Sequence, residues 1–332
     1  IVMQKKMSIM LPVYNMESYV DECLKSLAKQ DWDDDVEVII IDDGSTDASY
    51  EICKRYVHKY PYMELYHKEN GGVASARNAA LKHARGEYFY WVDPDDYITD
   101  DFWEKIRPVL HQDYDFIFFD LIYFSGDRSH PKCFGNKSSI IEKEELMSLF
   151  CDGVKMASHL PTKIIKKSLW EEIVFPENIS LCEDYAVLTY IVPKSQKAFY
   201  LHESLYKYRQ HAGSICHNIS VQDLRNVHKL VNERYLYFTE QGFCVSVAGI
   251  LFVEYNYLRD IVLCKNISES VEKYQEIYAD MLQHLQKNWL VLLQSGFLGK
   301  KEKIILCLLI WNMKGILCAL FSGWNLLKKV CK

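Results

Sequence analysis

The chain of 332 residues has no Cys-x-x-C pair, and its eleven cysteines, an odd number, are scattered. That excludes a zinc module and a complete disulfide framework, and leaves reduced thiols as the plain reading. No internal repeat or low-complexity tract is present, which excludes solenoids and disordered arrays. No secretion signal is readable in Ile1–Lys6, which leads straight into a strand-like run, so a cytoplasmic protein is expected. The first strand-like run ends in Pro-Val-Tyr-Asn rather than G-x-G-x-x-G, so the glycine cradle of a dinucleotide-dependent oxidoreductase is missing. A glycine- and arginine-rich loop is missing there too, which disfavours a sugar nucleotidyltransferase. A basic excess is also lacking: the net charge is −6, and no nucleic-acid partner is expected.

What is present is ordinary globular composition, 49% hydrophobic and 25% charged, in a length that suits one large domain with an appendage. Charge is unevenly spread. Residues 297–332 carry seven Lys against one Glu, while the rest carries 32 basic against 44 acidic residues. An acidic body with a basic, apolar tail suggests a tail that touches an anionic surface.

The first ~120 residues alternate strand-like and helix-like segments. Met7–Val13 is followed by a helix that Asn15 could cap. Val36–Ile41 is β-branched and reads as a buried parallel strand. Helices are expected from Ala48 to about Tyr60 and from Val73 to Gly86, with strands at Met63–His67, Tyr88–Val92 and Tyr114–Phe124. Gly126–Ser139 reads as a polar loop, Ala198–Tyr208 as a strand, and 221–293 as helical without turn-rich breaks. The β-α-β order predicts an α/β fold with a mostly parallel sheet flanked by helices and a helical C-terminal extension. In such sheets ligands bind beyond the carboxyl ends of the strands. Four polar clusters fall at those ends.

Asp93, Asp95 and Asp96 put three carboxylates within four residues, which repel unless a cation or hydrogen-bond donors compensate. A hard divalent ion accepts one or two carboxylates and completes its shell with water and phosphate oxygens, so a metal–diphosphate role is favoured over a solvated acidic turn. Asp42-Asp43-Gly44-Ser45-Thr46-Asp47 contains helix-capping residues, yet capping does not account for two adjacent carboxylates where a strand leaves the sheet. Asn70-Gly71-Gly72 reads either as a tight turn or as a place where backbone approaches an anion at a helix N-terminus, with Arg77 one turn in. Cys182-Glu183-Asp184 precedes a helical run, and dipole-favoured acidic residues are the bland alternative there.

Ser8-Ile9-Met10-Leu11-Pro12-Val13-Tyr14-Asn15, Ile41 through Asp47, Asn70-Gly71-Gly72 through Arg77-Asn78, and Val92-Asp93-Pro94-Asp95-Asp96 occur in that order. Together they resemble glycosyltransferase family 2, the inverting, GT-A (Rossmann-like) family of bacterial polysaccharide-building enzymes, firmly over residues 6–125 and more loosely to about 217. The resemblance implies a donor pocket in which Pro12, Tyr14 and Glu17 line the nucleotide base and Asp43 binds its uracil-like edge. It further implies that Asn70 and Arg77 contact the nucleotide and its phosphates, and that Asp93 and Asp95 form a D-x-D pair with Asp95 nearest a divalent metal, Mn²⁺ or Mg²⁺. Asp184 would be the base that deprotonates the acceptor. Tyr208-Arg209-Gln210-His211 resembles the closing segment, with Arg209 on the diphosphate and His211 as a metal ligand. Lys163 sits where relatives carry a basic residue, without an assigned role.

The expected partners are a nucleotide-sugar donor, UDP-linked first, and a saccharide or polyprenyl-linked acceptor. A catalytically silent nucleotide-sugar-binding subunit is the alternative; it would lack the base, whereas Glu183-Asp184 is intact. Expected boundaries are a catalytic domain over 1–217, a helical extension over 218–296 and the tail over 297–332. Lysines crowd both ends of that tail, and Lys314 at a bilayer midplane would cost about 3 kcal/mol. A peripheral, interfacial contact of residues 300–332 on the inner membrane face therefore fits better than a span, with a buried docking helix as the alternative.

Overall fold

The computed structural model describes residues 5–152, 156, 158–179, 181–211, 220–242, 247–262, 274–296, 298–311 and 313. Its contacts divide the chain into two compact units: residues 1–147 with 158–211, and residues 148–157 with 212–332.

The first unit is built on a sheet. Strands β1 (Met7–Val13), β2 (Val36–Asp42), β3 (Met63–His67) and β4 (Tyr88–Trp91) run parallel in the order β3-β2-β1-β4. β1 and β2 are buried along their whole length, because their apolar residues face helices on both sides. Helices α1 (Val20–Ala28), α2 (Ser49–Lys59) and α3 (Val73–His83) supply the crossovers. The sheet continues through β9 (Lys163–Lys166), antiparallel to both β4 and β6 (Phe116–Ser125), and then to β10 (Lys197–Arg209), parallel to β6. β5 (Tyr97–Ile98) closes the edge. The α/β class and mostly parallel sheet expected from the alternation are therefore what forms. Ile9 and Leu11 of β1, Leu24 and Leu27 of α1, and Phe102 and Ile106 of α4 (Phe102–Leu110) pack as one core. Each such Leu or Ile contributes about 1.5–3 kcal/mol by burial.

Two local expectations change. Asn15 does not cap α1, which starts at Val20; it takes a left-handed φ of 50° and its side-chain oxygen accepts the Thr46 N–H at 2.8 Å. The β1–α1 loop is thereby laced to the β2–α2 loop, with Glu17 N–H donating to Asp47 and Ala48 N–H to Glu17. Gly126–Ser139 is not all loop. β7 (Arg128–Lys132) folds back on β6 through a turn at Gly126 (φ 55°), and β8 (Ser139–Glu142) starts the pairing with β10. The polarity that signalled a loop belongs to an exposed edge.

Segment 143–152 forms α5 (Lys143–Asp152), and α6 (Glu183–Ile191) precedes β10. The second unit is helical: α7 (Val221–Glu240), α8 (Val247–Val262), α9 (Gln275–Gln294) and α10 (Lys300–Ile310). α7 opens with a reciprocal capping box between Ser220 and Asp223. Leu251, Tyr255, Met281, Leu285, Leu306 and Leu309 form its core. No helix among the described residues is long and apolar enough to cross a membrane. Residues 314–332, most of the basic tail, lie outside the described residues.

Candidate active site

Because β1, β2, β3, β4, β6 and β10 all point the same way, Val13, Asp42, His67, Trp91, Ser125 and Arg209 end along one edge of the sheet. The clusters at Tyr14-Asn15, Asp43–Asp47, Asn70-Gly71-Gly72 and Asp93–Asp96 follow the ends of β1, β2, β3 and β4. Pro12 is buried in β1, and Tyr14, the next side chain out, is 44% exposed.

Asp43 is 2% exposed, and its carboxylate is well supplied with donors. Lys68 Nζ lies 2.5 Å from Oδ1, the Gly71 N–H donates to Oδ1 at 3.1 Å and the Gly72 N–H to Oδ2 at 2.7 Å. The Asn70-Gly71-Gly72 turn is thus folded around Asp43, with the Asn70 side chain exposed. Gly44 permits the approach: its φ is 75°, and a Cβ there would sit 2.8 Å from Asn70 N. The neighbouring Asp42 turns the other way, to His67 Nδ1 at 2.6 Å.

Arg77 is the centre of the site. Its side chain is 3% exposed and lies over the rings of Trp91 and Phe175. Nη1 donates to Glu183 at 2.7 Å and to Asp184, and Nη2 to Asp93 at 3.2 Å. Three carboxylates therefore share one guanidinium. Lost hydration and the charges of Asp184, Asp95 and Glu183 push the Asp93 carboxyl up to about 7, against the pull of Arg77. Burial likewise raises Glu183. The sequence resemblance implies that Arg77 contacts the nucleotide and its phosphates; in the fold its guanidinium is turned to Glu183, Asp184 and Asp93 beside Trp91 and Phe175.

Asp184 has a second support. Leu160 N–H donates to its Oδ2 at 3.0 Å while 17% of the side chain stays exposed. Below it lies Lys163, 1% exposed, whose Nζ donates to the His159 carbonyl at 2.6 Å and Thr162 Oγ1 at 3.1 Å. Burial lowers Lys163 to about 7, and Asp184 opposes that shift. Burial, aided by Lys163, lowers His159 to about 4, so this imidazole is neutral at pH 7. His159 and the Leu160 amide carry no sequence signal of their own.

The Asp93–Asp96 turn is fixed by Tyr206, which sequence reasoning missed. Its hydroxyl accepts Asp93 N–H at 3.1 Å and donates to Asp96 Oδ2 at 2.8 Å. Arg209 N–H donates to Asp96 Oδ1 at 2.7 Å. Asp96, buried, is raised well above the usual carboxylate range by that burial and by Asp95 and Asp93. Asp95 is left pointing outward, 22% exposed, with His211 Nε2 at 3.0 Å from Oδ2. The His211 ring lies tilted against Tyr19, with centroids 4.9 Å apart. The Arg209 guanidinium lies over Phe124, donates to the Asp95 carbonyl and pairs with Glu22 at 2.5 Å. Its Glu22 partner had no sequence signal.

Carboxylate oxygen and imidazole nitrogen at this separation, beside a cluster with more negative than positive charge, suit a divalent ion.

Comparison with known proteins agrees on the class. The profile of "Glycosyl transferase family 2" matches residues 8–159. Glycosyltransferase GlyG of Streptococcus pneumoniae serotype 4 is 31% identical over 301 residues, covering 86% of this chain and 96% of that protein. Minor teichoic acid biosynthesis protein GgaB of Bacillus subtilis is 32% identical over 206 residues, 61% of this chain, but the match spans only 23% of GgaB. Among solved structures, Staphylococcus aureus TarS 1-349 in complex with UDP-GlcNAc superposes with a TM-score of 0.61 at 20% identity, over 86% of this chain and 91% of that one. The mannosyltransferase PcManGT of Pyrobaculum calidifontis, in complex with GDP-Man and Mn²⁺, gives 0.51 at 18% identity, over 98% and 88%. The fold is the GT-A arrangement, and the chain, by its match to nearly the whole of GlyG, belongs to glycosyl transferase family 2 and is a glycosyltransferase.

Proposed function

We propose that the chain moves a sugar from a nucleotide-diphosphate donor, a UDP-sugar first, to a hydroxyl of a saccharide or lipid-linked saccharide, inverting the anomeric carbon. One observation carries the reading: Asp184, from the second half of the chain, meets Asp93 across Arg77 at the sheet edge that also bears Asp95 and His211.

In this reading Asp184 takes the proton of the acceptor hydroxyl as its oxygen bonds to the anomeric carbon and the bond to the diphosphate breaks. The Leu160 amide and Arg77 hold the carboxylate aimed. Arg77 acts on the carboxylates and not on phosphate, since three acidic partners already occupy it. Asp95 and His211 would hold the divalent ion, Mn²⁺ or Mg²⁺, which when bound neutralises charge on the leaving diphosphate. Pro12, Tyr14 and Glu17 would line the base, with Asp43 and Asn70 behind it, and Arg209 would exchange Glu22 for phosphate. The residues up to His211 would form the catalytic part, with the helical unit and the tail from 297 as appendages.

The names of the relatives support cell-surface polymers as the destination: GgaB is a teichoic acid protein, and Staphylococcus aureus TarS, 31% identical over 206 residues, is a poly(ribitol-phosphate) beta-N-acetylglucosaminyltransferase. A cytoplasmic protein resting on the inner membrane face fits such an acceptor. Ile304 and Trp311 of the α10 region are 55% and 64% exposed beside Lys300, Lys301 and Lys303, which supports interfacial contact.

Turnover of a panel of UDP-, GDP- and dTDP-sugars with Mn²⁺ tests the reading. Release of nucleotide from at least one donor is expected, and none from any would overturn it. Cosedimentation with anionic vesicles, lost in Ile304→Glu/Trp311→Glu, tests the membrane contact.

A further inference from the structure

A second cluster lies away from the strand ends. Asp120 sits in the middle of β6, 1% exposed. Cys133, an exposed free thiol, stands on the connection between β7 and β8. His202 lies at a break in β10, where pairing jumps from Leu201↔Phe119 to Ser204↔Asp120. A bulge of this kind re-aims a side chain, and here it brings His202 Nδ1 to 3.0 Å from Asp120 Oδ2. The ligating atoms of Asp120, Cys133 and His202 all lie within 4.8 Å of one another.

We propose that Asp120, Cys133 and His202 bind a zinc ion, or a cation of similar softness, that clamps the β7–β8 connection onto the sheet.

The donor set decides the metal. Thiolate, imidazole and carboxylate together are the ligands of Zn²⁺, whereas Mg²⁺ and Ca²⁺ take oxygen. Zinc–ligand bonds of about 2.0–2.3 Å place neighbouring donors of a tetrahedron roughly 3.3–3.8 Å apart, so closing the cluster takes sub-ångström to one-ångström adjustments on the exposed Cys133 side. Charge agrees: a carboxylate, a thiolate and a neutral imidazole balance Zn²⁺ to zero. Without a cation, Asp120 is a buried carboxylate that, among the described residues, pairs with one base, His202.

The surroundings supply outer support. Tyr200 Oη donates to Asp120 at 2.8 Å, lies 2.9 Å from His202 Nδ1 and accepts the Gly135 N–H at 2.9 Å. Phe134 N–H donates to Asp120 Oδ1 at 2.8 Å. Such contacts orient ligands and tune a metal. The fourth position is left to water. This site holds sulfur, while Asp95 and His211 offer only oxygen and nitrogen, so the two select different ions.

The test uses the full chain, stripped with a chelator and titrated with Co²⁺. A thiolate-to-cobalt charge-transfer band saturating at one equivalent, and displaced by Zn²⁺, is expected. Cys133→Ser, at an exposed position that does not threaten folding, and His202→Ala should each abolish it. Tyr200→Phe should keep the band but weaken Zn²⁺ by about 10- to 100-fold. No band in the unaltered chain, or a band that survives either ligand substitution, would overturn the proposal. Alkylation gives a second measurement: Zn²⁺ should protect Cys133, and unchanged labelling would count against it.

Discussion

Two acid–base clusters, one in each unit and each built around a buried ion, Arg77 or Glu254, are balanced oppositely. At the sheet edge three carboxylates, Asp93, Glu183 and Asp184, share the single guanidinium of Arg77. In the helical unit one carboxylate, Glu254, is 0% exposed and has two bases: His228 Nδ1 at 2.8 Å and His284 Nδ1 at 2.6 Å. The first cluster carries surplus negative charge next to partly exposed Asp95. The second is satisfied within itself and joins α7, α8 and α9. Surplus charge is a cost that a ligand of opposite sign relieves, whereas a set matched within itself serves packing alone. The contrast predicts that substitutions in the first cluster change chemistry and those in the second change only stability.

The largest expected effect is that of Asp184→Asn. It keeps the shape and removes the basic oxygen, so turnover should fall about 10²- to 10⁴-fold while UDP still raises the melting temperature. Full transfer by this variant would break the comparison, because the first cluster would then be structural as well. Next is Arg77→Met. It leaves three carboxylates facing one another beneath Trp91 and Phe175, and loss of one partner from a buried ionic set costs about 3–5 kcal/mol. Urea unfolding followed by circular dichroism would measure it. A cost below about 1 kcal/mol would mean that the guanidinium is not the counter-charge of the cluster.

The edge of the sheet was legible from sequence, and the wiring behind it was not. Strand ends showed because a β-branched run stops at Asp42 and an aromatic run at Trp91, and polar clusters follow both. Asp93 to Asp96 showed because like charges so close demand a reason. Arg77 read as a phosphate contact, since its pairing with carboxylates depends on Glu183, 106 residues away, and on the rings of Trp91 and Phe175. β9 was invisible: Lys163–Lys166 is four residues long with a lysine at each end, and it is a strand only because β4 and β6 leave a slot for it. Lys163 is buried with that strand, against every composition rule, and the His159 carbonyl and Asp184 make its charge tolerable. Asp120, Cys133 and His202 are single residues on three strands or loops, with no spacing for a motif to register.

The smallest effect concerns the matched cluster and reads its pH dependence. Glu254 raises the His284 pKa above the ordinary 6.5, so the stabilisation from His284 is complete below about 6.5 and is lost as pH rises through the folded value. Burial pushes the Glu254 carboxyl up, but bonds to His228 and His284 together outweigh it and lower the pKa, so its stabilisation is present above about 4.5 and is lost as pH falls through the folded value. The pair is therefore strongest between those limits. Glu254→Gln should cost about 1–3 kcal/mol there, and the difference in thermal midpoint between the two chains should shrink on both sides of that window. Since no group of the sheet edge is touched, turnover at a temperature where both chains are folded should not change. A midpoint difference that is flat from pH 4 to 9 would show that hydrogen bonding without charge holds the three helices. A fall in turnover at constant fold would show that the two clusters are coupled, and the division between a reactive edge and a structural joint would fail.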